Sequence, residues 1–180
     1  MRIIGFAGWS GAGKTHVLRN LLPVLVERGL SVSTLKHAHH AFDIDHEGKD
    51  SYIHRQAGAQ EVLIAFSQRL ALMRELRGAP EPGLDELLLM LKPVDLVLVE
   101  GFKGWTTPKI EIHRSINAKP FLYPDDPLIL MLASDEKPVG LERDWCPVDD
   151  IEALAEGVLK HAVERDDLLQ TLKRRDGDGA

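Results

Sequence analysis

The stretch Gly8-Trp9-Ser10-Gly11-Ala12-Gly13-Lys14-Thr15 decides the fold. It matches G-x-x-x-x-G-K-[ST], the loop that joins a strand to a helix and wraps a phosphate. Glycines let consecutive backbone N–H groups turn inward around an anion, and the following helix adds the positive end of its dipole. Lys14 is expected to reach the β- and γ-phosphates of a nucleoside triphosphate. Thr15 is expected to place its hydroxyl on magnesium. The phosphate-binding set is therefore Gly8, Ser10, Gly11, Ala12, Gly13, Lys14, Thr15 and the next residue, His16.

The flanks agree with this reading. Arg2 to Ala7 is an apolar run, expected as a buried strand. Lys14 to Glu27 repeats apolar residues at helical spacing, with Pro23 inside to cost a hydrogen bond or kink the helix. Further on, the spacing predicts strands over Leu30 to Leu35, Val94 to Val99, Lys109 to His113 and Leu128 to Ala133. It predicts helices over Asp50 to Ala57, Leu84 to Leu91 and Asp149 to Arg165. Glu61 to Phe66 and Arg69 to Leu76 look like a hairpin turning at Ser67-Gln68. Doubly buried strands alternating with helices imply an α/β fold: a three-layer P-loop sandwich, mostly parallel, with an antiparallel hairpin at one edge. One domain is expected over residues 1–165, with a frayed tail over 166–180.

A P-loop site needs an acid at the end of a neighbouring strand to hold magnesium through water. Asp95 begins its strand, whereas Glu100 stands at the C-terminal edge, where ligands of such sheets collect, beside the open space of Gly101. Glu100 is the expected acid; the alternative is a solvated loop carboxylate. The segment Lys36 to Ser51 is long and polar. His37, His39 and His40 with Asp43 and Asp45 fit either a transition-metal site or a switch loop facing nucleotide or a second substrate. Arg69, Arg74 and Arg77 are the arginines available to a kinase-like lid; the equal alternative is solvated strand and turn residues.

Composition narrows the class. The chain has 180 residues, 44% hydrophobic and 28% charged, as expected of a globular domain. A formal net charge of −6 argues against a nucleic-acid-binding face. No apolar run is long enough for a membrane span, and nothing at the start resembles a signal peptide. The single cysteine, Cys146, allows no intrachain disulfide and is expected in the core, which fits a reducing cytoplasm.

Beyond the P-loop, the runs Lys36-His37-Ala38-His39-His40, Asp43-Ile44-Asp45 and Gly48-Lys49-Asp50-Ser51 are distinctive. So are Arg55 with Ala57-Gly58-Ala59, Leu98-Val99-Glu100-Gly101-Phe102-Lys103 and Ala133-Ser134-Asp135. Together they resemble the molybdopterin-guanine dinucleotide biosynthesis adapter family, MobB, from Arg2 to about Val163. The resemblance implies GTP and Mg2+ as ligands, weak GTP hydrolysis and a homodimer. It further implies a partner, the molybdenum cofactor guanylyltransferase that joins GMP to molybdopterin, with molybdopterin itself as a further candidate ligand. Slow turnover also fits the lack of a glutamine placed to orient water. In such a protein Asp135, after the strand Leu128 to Ala133, is the candidate guanine reader; otherwise it is a turn aspartate. A metal-delivery GTPase and a small-molecule kinase are the alternatives, because one P-loop architecture hosts many activities.

Overall fold

The computed structural model describes residues 1–37, 43–101 and 106–177, the last few of these by backbone alone. The chain forms two compact units, Met1–His37 with Leu84–Ala180, and Ala38–Gly83.

The first unit is built on six parallel strands. They are β1 (Arg2–Ala7), β2 (Val32–Lys36), β5 (Leu96–Glu100), β6 (Lys109–His113), β7 (Ile129–Ser134) and β8 (Asp144–Pro147), in the order β2-β5-β1-β6-β7-β8. A two-residue strand, β9 (Val163–Glu164), pairs antiparallel with the start of β1. The helices α1 (Lys14–Glu27) and α4 (Ile151–His161) cover one face; α3 (Leu84–Met90) and α5 (Arg165–Gly177) cover the other. Alternation along β1 makes the three layers. Ile4 and Phe6 pack with Val17, Leu21 and Leu25 of α1, while Ile3 packs with Leu84, Leu88 and Leu168 on the opposite side. With both faces covered, β1 and β5 read as unbroken apolar runs.

The second unit holds α2 (Asp50–Gln56) and a hairpin of β3 (Glu61–Phe66) and β4 (Arg69–Arg74). Here the hairpin is its own two-stranded sheet and does not extend the parallel sheet as an edge. Leu63, Phe66, Leu70 and Leu72 are exposed.

Several boundaries differ from the sequence reading. The second strand starts at Val32, because Ser31 and Asp95 bind one another through backbone and side chain ahead of it. Glu100 is the last strand residue and not the first of a loop. Strand β8 has four residues and no apolar alternation, so its pattern carries no signal. The helix expected to reach Arg165 stops at His161, where Ala162 turns extended and leads into β9. The residues expected as a tail after Arg165 instead open with α5, whose Leu168 is buried beneath the sheet.

Candidate functional site

The C-terminal ends of β1, β2, β5, β6 and β7 meet at one edge of the parallel sheet. The registers Phe6 to Glu100, Lys36 to Glu100 and His113 to Ser134 set this alignment. The loop from Gly8 to Gly13 leaves that edge and enters α1. Gly8, Gly11 and Gly13 have φ of 147°, 81° and 85°, a backbone that L side chains rarely adopt. A Cβ on Gly8 would lie 2.4 Å from the Ile112 carbonyl oxygen, so this position also needs glycine for space. Ala12 is buried, and its N–H donates to the Trp9 carbonyl at 3.1 Å.

Lys14 is not extended into solvent. Its Nζ folds over the loop and donates to the carbonyls of Gly8 at 2.8 Å and Trp9 at 3.0 Å. The Thr15 hydroxyl donates to Glu100 Oε1 at 3.2 Å, joining the start of α1 to the end of β5. Glu100 is 9% exposed, and Lys36 Nζ lies 3.6 Å from the same oxygen. Gly101 has φ 100°, and a Cβ there would lie 2.8 Å from the His37 carbonyl oxygen. A hydroxyl and a carboxylate at the mouth of a strand-loop-helix turn are the oxygen donors that Mg2+ favours. His16 is exposed on α1, its Nε2 3.2 Å from Asn20 Nδ2.

The loop after β6 closes over the P-loop from the other side. Three acceptors or rings in or near the sheet hold it. Buried Glu111 accepts the N–H groups of Leu122 and Tyr123 at 2.8 and 2.9 Å. Burial pushes its carboxyl above the usual range, and those two N–H groups oppose the shift. The His113 ring bonds the Lys119 carbonyl at 2.9 Å and lies 4.1 Å from the Phe121 ring. Asp135 accepts the Ser115 N–H at 2.7 Å through Oδ2 and Arg114 at 3.1 Å through Oδ1. Arg114 also pairs with both oxygens of Asp149, and this contact holds the Asp149 carboxyl below the usual range. The held loop then touches the glycines: Trp9 Nε1 donates to the Pro120 carbonyl at 2.8 Å, and the Asn117 carboxamide lies 3.4 Å from where a Gly11 Cβ would stand. Sequence reading missed the role of Trp9, which fills an open position of the motif, and missed Arg114 and Asn117, which share no spacing with the motif and come near it only through the sheet.

The histidine-aspartate segment is divided. Residues 38–42, including His39 and His40, lie outside the described residues, and His37 donates its N–H to the Glu100 carbonyl at 2.9 Å. In the second unit Asp43 and Asp45 both bind Arg55, which also binds Glu75. The Arg55 hydrogen bonds lower the Asp43 carboxyl, and the Ser51 hydroxyl does the same for Asp45. Among the described residues no group of three or more His, Cys, Asp or Glu is arranged to hold a metal. Of the arginines considered for a lid, Arg74 pairs with Glu61, and Arg77 donates to the carbonyls of Arg55 and Ala59. Cys146 is buried beside the α1–α4 core, and desolvation pushes its thiol up to about 11.

Comparison with known proteins fits this geometry. The family profile for molybdopterin guanine dinucleotide synthesis protein B matches residues 3–135. The molybdopterin-guanine dinucleotide biosynthesis adapter protein of Escherichia coli K12 is 38% identical over 161 residues, covering 88% of this chain and 91% of that protein. Its counterpart in Haemophilus influenzae is 39% identical, covering 86% and 85%. A crystal structure of molybdopterin-guanine biosynthesis protein B superposes with a TM-score of 0.70 at 29% identity, over 88% of this chain and 98% of that one. No helix among the described residues is long and apolar enough to cross a membrane. On the match across residues 3–135 and the near full-length relatives, the chain belongs to the MobB family.

Proposed function

We propose that the chain is a cytoplasmic GTP- and Mg2+-binding adapter that assists the guanylyltransferase joining GMP to molybdopterin. The observation that carries this reading is the meeting of Lys14, Thr15 and Glu100 at the glycine loop. The residues fit the ligand. A cradle that excludes a Cβ at Gly8 leaves its N–H groups to a phosphate, and Thr15 with Glu100 supplies oxygen to a hard cation. Bound magnesium would supply charge neutralisation for the triphosphate. Lys14 would hold phosphate oxygens in place of the two carbonyls it now bonds.

Asp135 is the proposed guanine reader. A carboxylate accepts both the ring N–H and the exocyclic amine of guanine, whereas adenine presents a lone pair at the equivalent ring nitrogen. Its Oδ1 bond to Arg114 can be surrendered because Arg114 keeps Asp149. Turnover is slow on this reading: the nucleotide-binding unit carries a glutamine only at Gln170. GTP therefore acts as a conformational ligand or as a substrate presented to the partner.

Crosslinking this protein to its cell's molybdenum cofactor guanylyltransferase, with GTP·Mg2+ and without, tests the proposal. A crosslink that GTP strengthens is expected. Its absence in both conditions overturns the adapter role.

A further inference from the structure

We infer that Lys119, on the loop after β6, is a second cation for the nucleotide and binds its terminal phosphate, so that the protein tells a nucleoside triphosphate from a diphosphate. The inference rests on reading Gly8 to Thr15 as a triphosphate site and adds to it a ligand from outside the motif.

The backbone around Lys119 is pinned where it passes the P-loop. Its carbonyl bonds the ring of buried His113 at 2.9 Å. The next carbonyl, of Pro120, accepts from Trp9 Nε1 at 2.8 Å, and the N–H groups of Leu122 and Tyr123 end on Glu111. Just before Lys119, Ala118 has φ 46° and ψ 37°, a left-handed conformation that a residue with a Cβ adopts at a cost. The residues on either side of that turn meet neighbouring positions of the P-loop. Asn117 Nδ2 lies 3.5 Å from the Ser10 carbonyl, and Lys119 Nζ lies over the Trp9 ring, 5.9 Å from its centroid. Lys119 is exposed, so the strained turn beside it serves no core packing of its side chain. Strain kept beside a cation at a phosphate loop points to a ligand.

Charge agrees with placement. Among the described residues no carboxylate pairs with the Lys119 ammonium, in a chain whose formal net charge is −6. A cation over an exposed indole is weakly held, whereas an ammonium on a phosphate oxygen makes a charge-assisted hydrogen bond. Lysine's flexible four-carbon stem lets it exchange the first partner for the second. The residue beneath it fixes which phosphate that is. Lys14 Nζ, the group that takes the β- and γ-phosphates, rests on the Trp9 carbonyl at 3.0 Å. Trp9 therefore marks the terminal-phosphate end of the loop, and a cation above Trp9 meets the γ-phosphate first. A diphosphate leaves Lys119 on the indole; a triphosphate draws it off.

Calorimetric titration of the full chain with GTP and with GDP, each with magnesium, tests this. Lys119→Met keeps an unbranched stem and removes the charge. GTP affinity should fall about tenfold, the scale of one charge-assisted contact. GDP affinity and the melting temperature should not change, because the loop is held by backbone groups that the variant keeps. Lys119→Arg restores the charge and should recover most of the lost GTP affinity. A GTP loss no larger than the GDP loss overturns the inference, and so does an arginine variant as weak as the methionine one. The two readings fail separately. GTP affinity that survives Lys14→Ala sinks the P-loop site, whereas affinity lost in Lys14→Ala but kept in Lys119→Met sinks Lys119 alone.

Discussion

Thr15 and Glu100, 85 residues apart, meet at a 3.2 Å hydrogen bond that ties the first turn of α1 to the end of β5. The pair is the proposed magnesium site. Glu100→Gln keeps the shape and removes the charge. It should weaken GTP binding about tenfold with magnesium and leave binding in EDTA unchanged, since a hydrogen bond to a charged group contributes about 1.5–3 kcal/mol. Calorimetry under both conditions decides this, and an equal loss in each would assign Glu100 another role.

Lys14→Ala should lower GTP affinity by roughly 10- to 100-fold, the range for one charge-assisted contact. The melting temperature should hold, because Nζ bonds the loop carbonyls of Gly8 and Trp9 and the core clusters are built from other side chains.

Asp135→Asn should lose GTP and gain xanthosine triphosphate, whose added oxygen accepts from the new amide. The variant keeps one acceptor for the Ser115 N–H, so the loop after β6 should stay seated. Competition binding among GTP, ATP and xanthosine triphosphate reads the outcome. Full GTP preference in the variant would return Asp135 to a loop anchor.

The hairpin β3–β4 exposes Leu63, Phe66, Leu70 and Leu72, too much apolar surface for a two-stranded sheet alone. We expect a homodimer, and Leu70→Glu should yield a monomer. Multi-angle light scattering at micromolar concentration checks both; a monomeric wild-type chain refutes the dimer.

Stability should fall as the solution is acidified below about pH 4, the ordinary carboxylate range. Asp43, Asp45, Asp95, Asp144 and Asp149 all have carboxyls lowered by hydrogen bonds to Arg55, Ser51, Ser31, Lys160 and Arg114 respectively. A folded-state pKa below the unfolded value gives stability that is present above the unfolded pKa and lost as pH falls through the folded one. Glu111 has the opposite sign, because burial raises it: protonation favours its folded state. Urea unfolding between pH 3 and 7 should show the net loss. Glu111→Gln should destabilise at pH 7 by about 1–3 kcal/mol, because one of the two N–H groups it accepts would then face an amide donor.

The P-loop was legible in the sequence because its chemistry is local. Glycines at fixed spacing, a lysine and a threonine suffice to define the turn, and apolar runs on either side identify strand and helix. The doubly buried strands β1, β5 and β7 were legible for the same reason. The place of Glu100 at the end of β5 was legible because a strand end is a position along the chain. What the tertiary structure decided depends on neighbours far apart in sequence. By sequence Asp135 is a candidate guanine reader or a turn aspartate after a strand, and only the fold shows Ser115 and Arg114 already on its two oxygens. The tail became α5 because a buried leucine, Leu168, finds the face of the sheet that Ile3 leaves to it. Trp9 meets Pro120 across 111 residues and Ser10 meets Asn117 across 107, both through the β1–β6 register, and no local pattern encodes those meetings. Propensity and spacing act within a few residues of one another; the sheet order β2-β5-β1-β6-β7-β8 brings the distant partners to a single edge.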